Sequence, residues 1–105
     1  MRIQYQIIYW RDIPVQLRLR YGRTRLSYAL PEIFQKTVYR AAYRGKAITG
    51  DAFQESWHTE GWFYYEGEGG AEDLEAVATT IATGLIEAYS ELRLNLLALN
   101  KGNEP

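Results

Sequence analysis

His58 is the only histidine, and it is the first residue to ask about catalysis. With Glu60 or Asp51 to orient it, its imidazole would serve as a general base. It also follows Trp57 at the expected end of a short helix, where a histidine reads more simply as a surface or loop residue. There is no cysteine, which removes thiol chemistry and disulfides. One histidine without cysteine is a poor donor set for a transition metal. Glu66, Glu68, Glu72, Asp73 and Glu75 offer oxygen ligands of the kind Ca²⁺ or Mg²⁺ prefers. Their spacing is not that of an EF-hand, and acids are expected where a helix begins because they face the positive end of its dipole. Gly67-Glu68-Gly69-Gly70 lacks the G-x-G-x-x-G spacing, and no Walker A lysine follows. The sequence therefore points to no catalytic residue, no cofactor and no metal ligand.

The arginines are more informative. Arg18, Arg20 and Arg25 fall on one side of an alternating pattern, with Arg23 at its turn. Like charges set directly opposite one another on a sheet cost a few tenths of a kcal/mol. An acidic partner, phosphates, or an acidic segment of the same chain would offset that cost. Arg11-Asp12 has two readings. In one, Asp12 caps a turn and Arg11 pairs with it or with the acidic half of the chain. In the other, Arg11 presents its fork to a carboxylate or phosphate of a partner.

The net charge of −1 hides two opposed halves. Residues 1–46 hold ten of the twelve lysines and arginines against Asp12 and Glu32, a net of +8. Residues 47–105 hold Arg93 and Lys101 against eleven acids, a net of −9. Such halves can neutralise each other or meet partners of opposite sign. Length favours one domain over residues 1–100, with 101–105 as a flexible polar tail. No run is apolar for long enough to span a membrane. A strand pattern begins by Ile3 with no signal peptide before it, so a cytoplasmic location is expected.

Several elements must position these residues. Residues 3–10, rich in Ile, Tyr and Trp, read as a strand with large side chains on both faces, as in the middle of a sheet. Asp12 and Pro14 turn the chain. Val15, Leu17, Leu19 and Tyr21 then alternate with Gln16, Arg18 and Arg20. Gly22-Arg23 suits a two-residue turn of type II′. Thr24, Leu26, Tyr28 and Leu30 complete the hairpin. This register pairs 21 with 24, 19 with 26, 17 with 28 and 15 with 30, and a slip of one residue would bury the arginines.

Pro31 opens a helix whose apolar face is Ile33, Phe34, Thr37, Val38, Ala41 and Ala42, with Gly45 as its stop. Residues 51–57 read as a short helix with an Asp51–Gln54 capping box. Trp62 to Glu66 reads as a fourth strand. From Ala71 a long helix carries the stripe Leu74, Val77, Ala78, Ile81, Leu85, Tyr89, Leu92, Leu96 and Leu99. Unbroken, it would run about 43 Å. It must therefore bend near Gly84 or project and find a partner. The order β-β-β-α-α-β-α implies an α+β fold: a four-stranded, mainly antiparallel sheet with helices packed on a face.

Ile7-Ile8-Tyr9-Trp10-Arg11-Asp12-Ile13-Pro14, a hairpin, Phe34-Gln35 running into Ala41-Ala42, and Asp51-Ala52-Phe53 closing at Trp57 together resemble the small bacterial virulence factor domain family. A similar domain forms part of conserved virulence factor C. The resemblance covers roughly residues 3–92, with Leu94 to Leu99 as an addition. It brings no catalytic residues with it. Through family members that lie beside one-carbon or corrinoid-dependent methionine-synthesis proteins, it also implies, as an alternative, an accessory subunit of a one-carbon or corrinoid-dependent methyl-transfer enzyme. The leading expectation is a non-catalytic interaction protein. Arg11, Arg18, Arg20, Arg23 and Arg25 would meet a protein partner with an acidic surface. Leu92, Leu96 and Leu99 would serve self-association or a second partner. Nucleic acid ranks lower, because Tyr21 and Tyr28 fall on the core face and the overall charge is not basic.

Overall fold

The computed structural model describes residues 1–48 and 50–105. Three strands come first: β1 (Gln4–Trp10), β2 (Ile13–Tyr21) and β3 (Thr24–Ala29). Helices α1 (Glu32–Arg44) and α2 (Asp51–Glu55) follow, then the short strands β4 (Trp57–Thr59) and β5 (Phe63–Tyr64). A 3₁₀ turn at Ala71–Asp73 leads into α3 (Leu74–Ala88) and α4 (Glu91–Leu99). The fold is α+β. Its antiparallel sheet runs β3-β2-β1-β4, and β5 also pairs with β1.

β1 is the central strand, as its large side chains on both faces imply. One of its edges carries β2. The other carries β4 at Ile8–Trp10 and β5 at Gln4–Tyr5. The β2–β3 hairpin has the expected register: Tyr21 faces Thr24, Leu19 faces Leu26 and Leu17 faces Tyr28. Leu30 N–H donates to the Val15 carbonyl at 3.0 Å and continues the same pairing. Gly22 has φ +59° and Arg23 has no positive φ, the pattern of a II′ turn.

The face bearing Leu17 and Leu19 is covered by α1 and α3. Leu17, Phe34 and Val38 are almost wholly removed from water, each contributing about 1.5–3 kcal/mol by burial. Thr37 is buried with them, and its hydroxyl donates to the Ile33 carbonyl at 2.7 Å. Ile33, assigned to the apolar face by periodicity, is exposed. Helix α1 begins one residue after Pro31, and its left-handed closing residue is Lys46 rather than Gly45. Gly45 instead allows close approach: a Cβ there would stand 3.3 Å from the Lys101 side chain.

The C-terminal half departs most from expectation. The long helix is two helices, and the break is at Tyr89-Ser90, not at Gly84. Tyr89 leaves helical geometry at φ −105°, ψ 72°. The Ser90 hydroxyl then accepts from Arg93 N–H at 3.2 Å and caps a new helix. Helix α4 does not project; it folds back alongside α1. The break also changes the buried face. Leu94, Leu97 and Ala98 go inward, while Leu92, Leu96 and Leu99 are exposed. A single stripe from Leu74 to Leu99 does not exist, because the second helix has its own phase.

Other boundaries shift too. Helix α2 ends at Glu55, and its N-cap is Gly50, so Asp51 makes no capping box. Trp57–Thr59 is a strand instead, formed because β1 offers a partner. The strand expected at 62–66 shrinks to Phe63–Tyr64. Lys101, Gly102 and Glu104 of the expected flexible tail bond to the corner at Arg11 and Asp12. Asp12 N–H donates to the Gly102 carbonyl at 2.8 Å, and Glu104 N–H donates to Asp12 Oδ2 at 2.6 Å. Gly102 is buried at φ +93°, and a Cβ on it would come within 2.8 Å of the Trp10 ring.

Candidate functional site

The outer face of the sheet is built by register alone. Arg20 stands opposite Arg25, and Arg18 stands opposite Ser27. Gln4 faces Arg20 from β1, and Tyr64 faces Gln4 from β5. Tyr64, Gln4, Arg20 and Arg25 therefore form one row across four strands, since directly paired residues share a face. Arg18 and Arg25 are exposed, as is Arg23 at the hairpin tip, and Arg20 is half-buried.

Arg20 is held in place. Its Nε donates to Gln4 Oε1 at 3.0 Å, and its guanidinium sits 3.9 Å from the centre of the Trp62 ring. Near the same edge Arg2 lies 5.1 Å from the Tyr64 ring and donates to the Tyr65 carbonyl at 3.2 Å. Arg18, Arg25, Ser27 and Trp62 frame an open depression of about 280 Å³. Among the described residues the ion pairs are Lys36–Glu32 and Arg93–Glu104, and neither touches this face. Among the described residues no carboxylate of the acidic half comes within ion-pair distance of Arg18, Arg20 or Arg25. Trp62, Tyr64, Gln4 and Arg2 belong to the face and were not singled out from sequence. The alternation of Trp62 with Phe63 was legible, but only the pairing of β5 with β1 says which of the two joins the arginines.

Arg11 is elsewhere. It lies in the corner between β1 and β2, at the opposite end of β2 from the hairpin tip. Its backbone is left-handed at φ +53°, with its N–H donating to the Ser56 carbonyl at 2.8 Å. Its side chain donates to Ser56 Oγ at 3.1 Å and to the Lys101 carbonyl at 2.7 Å, over the Trp10 ring. It makes no ion pair with Asp12. The corner is thus tied to α2 and to the C-terminal residues. Trp10 is fully buried there, with its indole N–H donating to the Phe53 carbonyl at 3.0 Å.

His58 is exposed on β4. Because a carbonyl only accepts, its Nε2–H donates to the Arg11 carbonyl, at 2.6 Å. The ring is stacked on Tyr9, with centroids 5.5 Å apart. Burial, aided by Tyr89 and Glu60, pushes the Tyr9 hydroxyl up to about 12. Burial raises Tyr89 as well, against the pull of Arg93 lying 3.9 Å over its ring. Glu68, Glu72 and Asp73 border an open depression of about 550 Å³ beside α3. Among the described residues no three His, Asp or Glu side chains gather as a metal site would require.

On α4, Leu92, Leu96 and Leu99 form an exposed ridge, the first of them 69 % exposed. Arg40 and Arg44 of α1 reach across to it, bonding Asn95 Oδ1 at 2.9 Å and the Leu99 carbonyl at 2.9 Å. The ridge lies on the helical layer and the arginines on the open face of the sheet, so the two sets form separate surfaces.

The family model described as virulence factor matches residues 8–98, most of the chain. The chain belongs to the virulence factor family. The match runs through Leu94 to Ala98, so all of the expected addition except Leu99 lies within the family's span. No curated protein and no solved structure matches the chain. Among the described residues of this family member, no helix is long and apolar enough to cross a membrane.

Proposed function

We propose that this virulence-factor family member is a small non-catalytic docking protein. It binds an acidic surface of a protein partner through the outer face of the β2–β3 hairpin. Arg18, Arg20, Arg23 and Arg25 make the contact, and Arg11 serves the corner that fixes the sheet. One observation carries the reading: Arg18, Arg20 and Arg25 share an open face on which no carboxylate of the described residues lies within ion-pair distance. A fold that keeps like charges opposed, at a small cost in stability, presents charges ready to be met by opposite ones. The exposed ridge of Leu92, Leu96 and Leu99 supports self-association as a separate contact.

The test is capture of partners from the producing cell with the Arg20→Glu/Arg25→Glu variant beside the wild type. Loss of the same partners from the variant supports the docking face; equal recovery removes it. A protein that elutes as a monomer, unchanged by Leu96→Asp, removes self-association.

Nucleic acid is a second reading, favoured because Trp62 and Tyr64 lie on the arginine face. Basic residues interleaved with aromatic ones suit a single strand, with bases stacking on the rings. A labelled oligothymidylate should then shift at low salt and release as salt rises. Absence of a shift at low salt removes this reading.

A further inference from the structure

Among the described residues, the arginine face ends at a strand with one open edge. β3 pairs with β2 and stands at the edge of the sheet. Leu30 N–H bonds the Val15 carbonyl, and antiparallel bonding alternates along a strand. Thr24, Leu26 and Tyr28 therefore bond inward to β2. The backbone N–H and C=O groups of Arg25, Ser27 and Ala29 point outward, and all three residues are exposed.

An added strand would continue the alternation. Its residues opposite Arg25, Ser27 and Ala29 would fall on the arginine face, beside the depression framed by Arg18, Arg25 and Trp62. Its intervening residues would fall on the other side, next to Leu26 and Tyr28, which are half-buried on this edge. The first set calls for carboxylates and the second for apolar side chains. A second copy pairing edge to edge would instead merge two arginine faces into one, which like-charge repulsion opposes.

We propose that the open edge of β3 takes an extended segment of a partner protein as an added antiparallel strand, with acidic residues on the arginine face alternating with apolar residues beside Leu26 and Tyr28. The inference rests on the docking reading above and specifies the form of the partner.

The probe is a short fluorescent peptide alternating glutamate with valine, compared with a scrambled peptide of the same composition. The alternating peptide should bind tighter. It should also slow amide exchange at Arg25, Ser27 and Ala29 by about tenfold or more, with little change at Leu26 and Tyr28, which are already bonded. N-methylation at its glutamates, which removes the ladder donors, should weaken binding by about tenfold, and methylation at its valines should not. Arg25→Glu should weaken it as well. If both peptides bind equally and depend on Arg25 without protecting those amides, docking stands and strand addition is overturned. If neither peptide binds at low salt, both readings fall. If protection appears without peptide and grows with protein concentration, the edge belongs to a second copy and the proposal is overturned.

Discussion

Arg20 and Arg25 stand directly opposite each other across the β2–β3 hairpin, and Trp62 covers only the first of them. The pair therefore carries a repulsion that Trp62 and Gln4 soften on one side. Arg25→Gln is expected to raise stability by a few tenths of a kcal/mol. The gain should shrink as salt screens the pair. Urea unfolding at low and high ionic strength measures both. A loss of stability in Arg25→Gln would mean that Arg25 has a favourable partner in the free protein.

The corner at Trp10 is closed by the far end of the chain. Gly102 has φ +93°, and a Cβ there would stand 2.8 Å from the Trp10 ring. Gly102→Ala is expected to cost about 1–3 kcal/mol from backbone strain, with the contact adding to it. Gly84 offers the contrast. It lies inside α3 with nothing within 4 Å of a built Cβ. Gly84→Ala should stabilise by about 0.5–1 kcal/mol, because alanine is the better helix former. Equal effects at the two positions in thermal unfolding would contradict the placement of the C-terminal residues.

The phase of α4 can be checked residue by residue. Leu97 is fully buried, whereas Leu96 is 46 % exposed. Leu97→Ala should cost about 2–5 kcal/mol. Leu96→Ala should cost only about 1 kcal/mol, since about half of that side chain stays in water. The reverse order in denaturant unfolding would mean that the stripe continues unbroken from α3.

The raised pKa of Tyr9 has a consequence at high pH. The unfolded chain ionises Tyr9 near its ordinary value of 10, while the folded chain holds the proton to about 12. The unfolded state then binds fewer protons, so stability falls as pH rises through that window. Below pH 10 this contribution is fully present. Tyr9→Phe should flatten the decline in unfolding free energy between pH 10 and 12, and an unchanged slope would contradict the burial of the hydroxyl.

The hairpin was legible from sequence because three signals agreed there: period-two alternation, a Gly-X turn, and a face that would otherwise bury Arg18 and Arg20. The arginine face follows from that register. Three features were not legible. β4 is three residues long, and β1 stabilises it from across the sheet, so local pattern does not announce it. The break at Ser90 was hidden by leucines on more than one side. Leu92, Leu96 and Leu99 continue the α3 period, and only the cap bond to Arg93 reveals that Leu94 and Leu97 face the core. The position of Arg11 was equally hidden, since its partners are Ser56 and Lys101, far along the chain.

The docking claim is tested most directly by quantitative partner capture from the producing cell with three proteins: wild type, Arg20→Glu/Arg25→Glu, and Lys36→Glu/Lys46→Glu. The two variants change net charge equally, but Lys36 and Lys46 lie in and just after α1, off the hairpin face. The account predicts that the partners held by the wild type are retained by the lysine variant and fall by about tenfold or more with the arginine variant. Equal loss in both variants would make the attraction one of net charge. Equal retention would show that the arginine face is not the docking surface.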